Sequence, residues 1–166
     1  MTRSPLPAVR RARPPQGPFV VVNSFLRWVL SSPGRARRIG EHLMLLHVTG
    51  RTSGREITVP VAYRRVGGRL LVLTSATWRV NLRGGAQVAA TVAGIRHSAR
   101  AELVEEPETV AGVYRDLIVA EGGYRRAGRR MGIRIEVDRV PTLAELAEAS
   151  RRDHLSLVHL TVEGLA

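Results

Sequence analysis

The sequence contains neither cysteine nor lysine among its 166 residues. The lack of cysteine excludes disulfides, thiol nucleophiles and thiolate metal sites, and the lack of lysine excludes a Schiff base and a Walker-type phosphate loop. Aromatic residues make up only 4 % of the chain, and no apolar run is long enough to span a bilayer. Hydrophobic residues account for 44 % of the sequence, which suffices for one core in a chain of about one domain's length.

All 26 basic residues are arginine, and they outnumber 14 acidic residues to give a formal net charge of +12. Residues 1–40 hold eight arginines and no acidic residue. Residues 1–18 are rich in proline and arginine and predict a disordered basic tail. The amphipathic stretch Phe19–Leu30 predicts a surface helix that either covers a core or touches a membrane. Because no signal peptide is recognisable, we expect a cytoplasmic protein, with membrane association through residues 1–40 as an alternative.

From His42 onward the apolar residues follow the pattern of strands joined by short turns, with a short helical turn after Thr74 and two helices before the last strand. A capping-box spacing, Thr142 with Glu145, marks the start of the second helix. Pro60 lacks a backbone donor, so its strand should have an edge or a bulge there. We therefore predict an α+β protein, mainly antiparallel β, with residues 19–166 forming a single domain. The strands are predicted at 42–49, 57–63, 69–74, 87–93, 95–104 and 154–162. One helix is predicted to begin within Glu105–Glu108 and to end before Gly122, and the other to span residues 142–152.

The segment Thr49–Pro60 places a hydroxyl and two arginines in a turn flanked by glycines. Glycine lets the backbone approach a ligand closely, exposed N–H groups and a serine hydroxyl can donate hydrogen bonds, and arginine adds a forked donor. This composition suits a phosphate or carboxylate, and it suits an ordinary basic hairpin turn equally well. The residues that would form the anion cradle are Gly50, Arg51, Ser53, Gly54 and Arg55.

A second motif, Trp78-x-x-Asn81-Leu82, directly follows a predicted strand. The glycine turn, Pro60 and this motif follow one another along the chain. In this order they resemble the motifs of the deazaflavin-dependent nitroreductase family, the branch of the split-barrel flavin-binding proteins that uses coenzyme F420. The resemblance implies a split β-barrel of the FMN/F420-binding type, with an N-terminal helix and a helical insertion before the last strand. It also implies hydride transfer between the deazaflavin and an electron-poor small molecule, such as a quinone, an enone or a nitro compound.

The resemblance further implies roles for particular residues. The cofactor's phosphate or oligoglutamate tail would lie along the glycine turn, and Trp78 and Asn81 would shape the wall of the groove and hold the loop. Tyr63 is a candidate proton donor and is equally plausible as a core residue. No metal site is expected from the five histidines. The residues implied to bind the cofactor are Gly50, Arg51, Ser53, Gly54, Arg55, Pro60, Val61, Thr74, Ser75, Ala76, Trp78 and Asn81.

Three features depart from the family's pattern. Thr52 and Ile57 stand where relatives usually carry basic residues, and the loop between Thr74 and Trp78 is shorter than in many of them. Alternatives are therefore kept: an FMN- or haem-binding protein of the same fold, a basic nucleic-acid-binding protein, and a module at the membrane surface. The chain lacks any recognised nucleic-acid motif, which argues against specific nucleic-acid binding. Both a monomer and a homodimer are compatible with the sequence.

Overall fold

The computed structural model describes residues 6–12 and 42–165. The tail outside residues 6–12 and the helix predicted over Phe19–Leu30 lie outside the described residues. Within them the chain forms nine strands, a 3-10 helix at Thr77–Leu82 and three α-helices. The strands are β1 (Val9–Arg11), β2 (Leu43–Thr49), β3 (Glu56–Ala62), β4 (Arg64–Val66), β5 (Arg69–Thr74), β6 (Ala86–Val92), β7 (Ile95–Val104), β8 (Ile133–Ile135) and β9 (Ser156–Val162), and the helices are α1 (Pro107–Ala120), α2 (Tyr124–Arg130) and α3 (Leu143–Asp153).

The described residues divide into two compact units where the sequence predicts one domain. One, the β unit, comprises residues 42–72, 76–103 and 158–165; the other, the helical unit, comprises residues 6–12, 73–75 and 104–157. Seven strands form one sheet in the order β3-β2-β6-β7-β9-β5-β4, and it curls into a half-barrel. The predicted fold class, α+β with a mainly antiparallel sheet, is confirmed.

The core of the β unit follows from the alternation of side chains along its strands. On β2, Met44, Leu46 and Val48 point to one face and are at most 1 % exposed. Val61 on the paired strand β3 and Val72 on β5 belong to the same cluster. Burial of such side chains contributes roughly 1.5–3 kcal/mol each, so this cluster is the main source of stability for the unit.

Pro60 lies on β3, at one edge of the seven-stranded sheet, opposite Leu45 of β2. A proline is tolerated in a strand only where the missing N–H is not needed by a neighbouring strand. The sequence-based prediction of an edge at this position is therefore confirmed.

The helical unit contains the three α-helices and a two-stranded ribbon of β1 and β8. Helix α1 begins at Pro107 after the N-cap Glu106, and α3 begins with the predicted capping box of Thr142 and Glu145. Helix α1 packs against α3, and α2 packs against β8. Tyr114 and Leu146 are each 1 % exposed, so both helices bury their apolar stripes. No helix among the described residues is long and apolar enough to cross a membrane.

The prediction of a disordered tail is wrong for residues 9–11, which form β1. Val9 is 1 % exposed, and the backbone N–H of Arg11 donates to the Asp153 carboxylate at 2.9 Å. The partner strand of β1 is Ile133–Ile135, more than 120 residues away, and neither strand exceeds three residues. A pairing this short and this distant leaves no periodic signal in the sequence.

Candidate functional site

The glycine turn between β2 and β3 is closed by its own hydrogen bonds. The N–H of Gly50 donates to the Arg55 carbonyl at 2.8 Å, and the N–H of Gly54 donates to the Gly50 carbonyl at 2.8 Å. The N–H of Arg55 donates to Ser53 Oγ at 3.3 Å. The sequence led us to expect these donors to be free for a ligand, and that expectation is wrong for Gly50, Gly54 and Arg55. Their N–H groups fix the shape of the turn instead.

The geometry of the turn requires a glycine at position 54. Gly54 has a φ of +65°, a conformation that L side chains rarely adopt. At Gly50, a Cβ would lie 2.8 Å from Ser53 Oγ, so the glycine leaves room for the serine hydroxyl. The turn is thus a rigid element and a defined platform for the side chains that project from it.

The polar side chains of the turn are available to an anion. Arg51, Ser53 and Arg55 are exposed, and no carboxylate of the described residues forms a salt bridge with either guanidinium. Ser53 Oγ accepts a bond from the Arg55 N–H, so its hydroxyl hydrogen remains able to donate to a ligand. Two forked cationic donors and one hydroxyl therefore face solvent on a fixed turn, a combination that suits phosphate or carboxylate oxygens.

Asn81 joins the two motifs that the sequence singles out. Its Oδ1 accepts a hydrogen bond from the Arg51 N–H at 2.9 Å, and its Nδ2 donates to the Trp78 carbonyl at 2.9 Å. One amide side chain thus links the glycine turn to the 3-10 helix, across 30 positions of sequence. The arrangement accounts for the presence of an asparagine, because both an acceptor and a donor are needed.

Arg79 is a site residue that sequence reasoning missed. It is 6 % exposed, and its Nη1 donates to the Ala76 carbonyl at 3.0 Å. Its neighbour Trp78 is half-buried against the β-unit core, and Leu82 is fully buried. The only signal in the sequence is an arginine between residues that pack inward. The bond to Ala76 holds the backbone that leads into the 3-10 helix.

The structure separates several residues that the resemblance grouped together. Val61 is 8 % exposed and lies in the β-unit core, so its side chain is directed away from any groove, while Pro60 lies on the opposite face of β3. Tyr63 is 4 % exposed in the same core, and this burial favours the core role over that of proton donor, the two roles that the sequence left open. Thr74 ends β5, and Ser75 and Ala76 follow it, all half-buried.

His47 lies between two threonines on the sheet, with Nδ1 3.0 Å from Thr58 Oγ1 and Nε2 2.8 Å from Thr91 Oγ1. Both ring nitrogens are therefore partnered by hydroxyl groups. Glu56 Oε1 lies 3.3 Å from Nδ1, and the hydrogen bond from Arg96 lowers the pKa of Glu56 below its ordinary value. Among residues 6–12 and 42–165 no group of three or more histidine, aspartate and glutamate side chains is placed to hold a metal.

Comparison with known proteins identifies the family. The profile of a family described as F420H(2)-dependent quinone reductase matches residues 29–138, about two thirds of the chain. No curated protein matches. Two solved structures are similar, each at 13 % identity: an F420 reductase, with 83 % of this chain and 93 % of that one covered at a TM-score of 0.42, and a domain-swapped dimer, with 86 % and 96 % covered at 0.40. Neither likeness is close enough to bear on function.

The family profile spans the glycine turn, Pro60 and the Trp78–Leu82 motif, and Asn81 joins the turn to that motif. The chain therefore belongs to the F420H(2)-dependent quinone reductase family, a family of oxidoreductases that use coenzyme F420.

Proposed function

We propose that this protein transfers a hydride from reduced F420 to a quinone, and that the turn Gly50–Arg55 holds the cofactor's phosphate and glutamate tail. One observation carries the assignment of the site. Arg51 and Arg55 are exposed, have no carboxylate partner among the described residues, and project from a turn that Asn81 ties to the 3-10 helix. The fit to the cofactor is chemical, because the phosphate and the glutamate carboxylates of F420 are anionic and these arginines offer forked cationic donors.

Binding and positioning fall to different residues in this proposal. Arg51, Arg55 and the Ser53 hydroxyl bind the acidic tail. Asn81 holds the backbone of Arg51, and Arg79 holds the Ala76 carbonyl, so both sides of the loop are fixed before the cofactor arrives. A preformed site loses less conformational entropy on binding than a loop that must be ordered.

The deazaflavin ring is assigned to the backbone that the resemblance implies. Pro60, which lies on an edge strand, and Ala76 are both half-buried residues of the β unit and offer backbone surface to a planar ring. Half-buried Trp78, packed on the core, excludes water from its own side of the loop. Val61 and Tyr63 support this region from inside the core and touch neither cofactor nor substrate.

Bound reduced F420 supplies a hydride, and overall two electrons and two protons pass to the quinone, giving the hydroquinone and the oxidised deazaflavin. This balance requires no acidic side chain of the protein, in keeping with the burial of Tyr63. Quinones are proposed over enones and nitro compounds because the family profile is that of quinone reductases.

A fluorescence titration with oxidised F420, run in parallel with FMN, tests the site. We expect F420 to bind more tightly than FMN. We expect Arg51→Ala to weaken F420 binding about tenfold or more, since a hydrogen bond to a charged group contributes roughly 1.5–3 kcal/mol. Arg65→Ala is the matched control, because Arg65 is an exposed arginine of the same unit that lies on β4, away from the turn.

Reduction of a soluble naphthoquinone, a cyclic enone and a nitroarene by reduced F420, followed by absorbance, tests the reaction. The quinone should be reduced fastest. The proposal would be contradicted if F420 did not bind, or if it bound no more tightly than FMN. It would also be contradicted if Arg51→Ala and Arg65→Ala lowered the F420 affinity equally.

A further inference from the structure

The helical unit contains a cationic cavity of about 510 Å³ that the proposed hydride transfer does not use. It lies where the β1–β8 ribbon meets the end of α3. Its size falls within the roughly 300–1,000 Å³ of ordinary small-molecule sites. Most of its lining lies outside residues 29–138, which the family profile covers. The charged and titratable residues that line it are Arg10, Arg11, Arg134, Arg152, Asp153 and His154.

Two of these arginines face each other and have no counter-ion in the part of the chain that the structure describes. Arg10 and Arg134 are directly opposite in the antiparallel pairing of β1 with β8, which places their side chains on one face of the ribbon. Both are exposed, and neither forms a hydrogen bond or ion pair within residues 6–12 and 42–165. Like charges directly opposite in a sheet are destabilising, so this pair costs the unoccupied ribbon stability.

Asp153 is the one carboxylate among the described residues that line the cavity, and it is already engaged. Asp153 Oδ2 accepts hydrogen bonds from the Arg11 N–H and from Arg152 Nη2, both at 2.9 Å. Burial would raise the pKa of Asp153, but these hydrogen bonds outweigh it and lower the pKa below its ordinary value. Arg152 also donates to the Val9 carbonyl, which holds it in place. Asp153 is therefore ionised and committed to Arg152 and the backbone, and the described residues offer no other carboxylate to Arg10 and Arg134 in the cavity.

We propose that this cavity is a second anion site, distinct from the F420 turn, and that it takes the phosphoryl group of a small phosphorylated compound between Arg10 and Arg134. A carboxylate has two oxygens and is satisfied by one guanidinium fork. A phosphoryl group has three terminal oxygens in a tetrahedral array and can accept from forks on two opposed strands at once. The cavity has room for more than the phosphoryl group, and its polar lining suits a polar organic portion.

Calorimetric titration of the cofactor-free protein with inorganic pyrophosphate, at constant ionic strength, tests the site. We expect saturable binding of one pyrophosphate per chain, with Arg10→Gln and Arg134→Gln each weakening it about tenfold or more. Arg10→Lys keeps the charge but loses the fork, so it should recover only part of the affinity. Arg115→Gln is the matched control, since Arg115 is an exposed arginine on α1 of the same unit.

Thermal unfolding gives a second readout. Without any added anion, Arg10→Gln should raise Tm by about 1–3 °C, because one of two opposed charges is removed. With pyrophosphate present, the wild-type protein should gain Tm and the Arg10 variant should not. Flotation with vesicles of phosphatidylglycerol in phosphatidylcholine distinguishes a lipid headgroup from a soluble phosphate as the source of the phosphoryl group. If flotation depends on Arg10 and pyrophosphate binds weakly, the phosphoryl group belongs to a lipid.

Binding of neither probe, or equal losses in the Arg10 and Arg115 variants, would overturn the proposal. F420 titration keeps the two sites apart. Arg10→Gln should leave the F420 affinity unchanged, and Arg51→Ala should leave pyrophosphate binding unchanged. If Arg10→Gln weakens F420 binding as much as Arg51→Ala does, the cavity belongs to the cofactor and is no separate site.

Discussion

Asn81 makes two hydrogen bonds with its side-chain amide, and each bond holds a different segment. Its acceptor satisfies the Arg51 N–H, and its donor satisfies the Trp78 carbonyl. Each bond contributes on the order of 1 kcal/mol net, so Asn81 determines how closely the glycine turn is held to the 3-10 helix. Its contribution to binding is through positioning, because its polar atoms are engaged by the protein.

Asn81→Ala should therefore destabilise the protein by roughly 1–2 kcal/mol and weaken F420 binding several-fold. Hydrogen exchange followed by NMR should show that the Arg51 amide loses its protection. A general loss of stability would instead lower the protection of many amides. Gln87→Ala removes the same amide group from an exposed position on β6 and is the control. Unchanged protection of the Arg51 amide in the Asn81 variant would show that the turn keeps its shape without this contact.

Strand β1 is the element whose contribution is least evident from the sequence. It has three residues, and its stabilising contribution comes from Val9, which is 1 % exposed, and from its pairing with β8. We expect Val9→Ala to lower the free energy of unfolding by about 2 kcal/mol, since it removes two buried methyl groups and leaves a cavity.

Urea denaturation measures this loss, and hydrogen exchange at the β8 amides locates it. Leu6→Ala, in the same segment but 69 % exposed, should change the urea midpoint little. If the two variants behave alike, residues 6–12 contribute nothing to the helical unit, and the tail would be disordered as the sequence alone suggests.

Helix α3 carries a pH-dependent contribution at its first turn. Hydrogen bonds from Arg139, and then from the Thr142 N–H, lower the pKa of Glu145 from 4.5 to about 2. Because the pKa in the folded state lies below that in the unfolded state, the stabilisation is fully present above pH 4.5 and is lost as the pH falls toward 2. This pH-dependent stabilisation by ionised Glu145 adds to that of the capping hydrogen bonds themselves.

Glu145→Gln should cost about 1 kcal/mol at neutral pH, and the gap from wild type should close between pH 4.5 and 2. Urea midpoints across this pH range check the expectation. Glu148→Gln, on the same helix with a more exposed ion pair to Arg152, should show a smaller gap. A gap for Glu145→Gln that persists unchanged at pH 2 would rule out the ion pair with Arg139 as its source.

At the scale of the whole chain, the net charge of +12 favours any polyanion, and F420 is one. Salt screens such attraction, since the Debye length falls from about 10 Å at 0.1 M to about 3 Å at 1 M. The F420 dissociation constant should therefore rise steadily with added KCl. Arg51→Ala should make this dependence shallower by removing a direct contact, and Arg65→Ala should leave its slope close to that of wild type.

Fluorescence titrations at four or five KCl concentrations measure these slopes. An isotonic sucrose series controls for effects other than ionic strength. Salt-independent F420 binding would mean that the arginines of the turn do not contact the tail.

The sequence by itself determined the features that are written locally. Alternating apolar residues and paired glycines located β2, β3, β5, β6, β7 and β9, the Thr142/Glu145 spacing located the start of α3, and Pro60 predicted an edge or a bulge. The order of the glycine turn, Pro60 and Trp78–Leu82 was enough to indicate the family. These signals are readable because each depends on residues that are near one another in the chain.

Only the tertiary structure decided which groups meet. It placed Asn81 on the Arg51 amide, buried Val61, Tyr63 and Arg79, and paired Val9–Arg11 with Ile133–Ile135. Each of these facts depends on contacts between distant segments, which no local pattern encodes. Charge shows the distinction most clearly: composition establishes the excess of arginine, but the fold decides which arginines have carboxylate partners. Arg51, Arg55, Arg10 and Arg134 have none within residues 6–12 and 42–165.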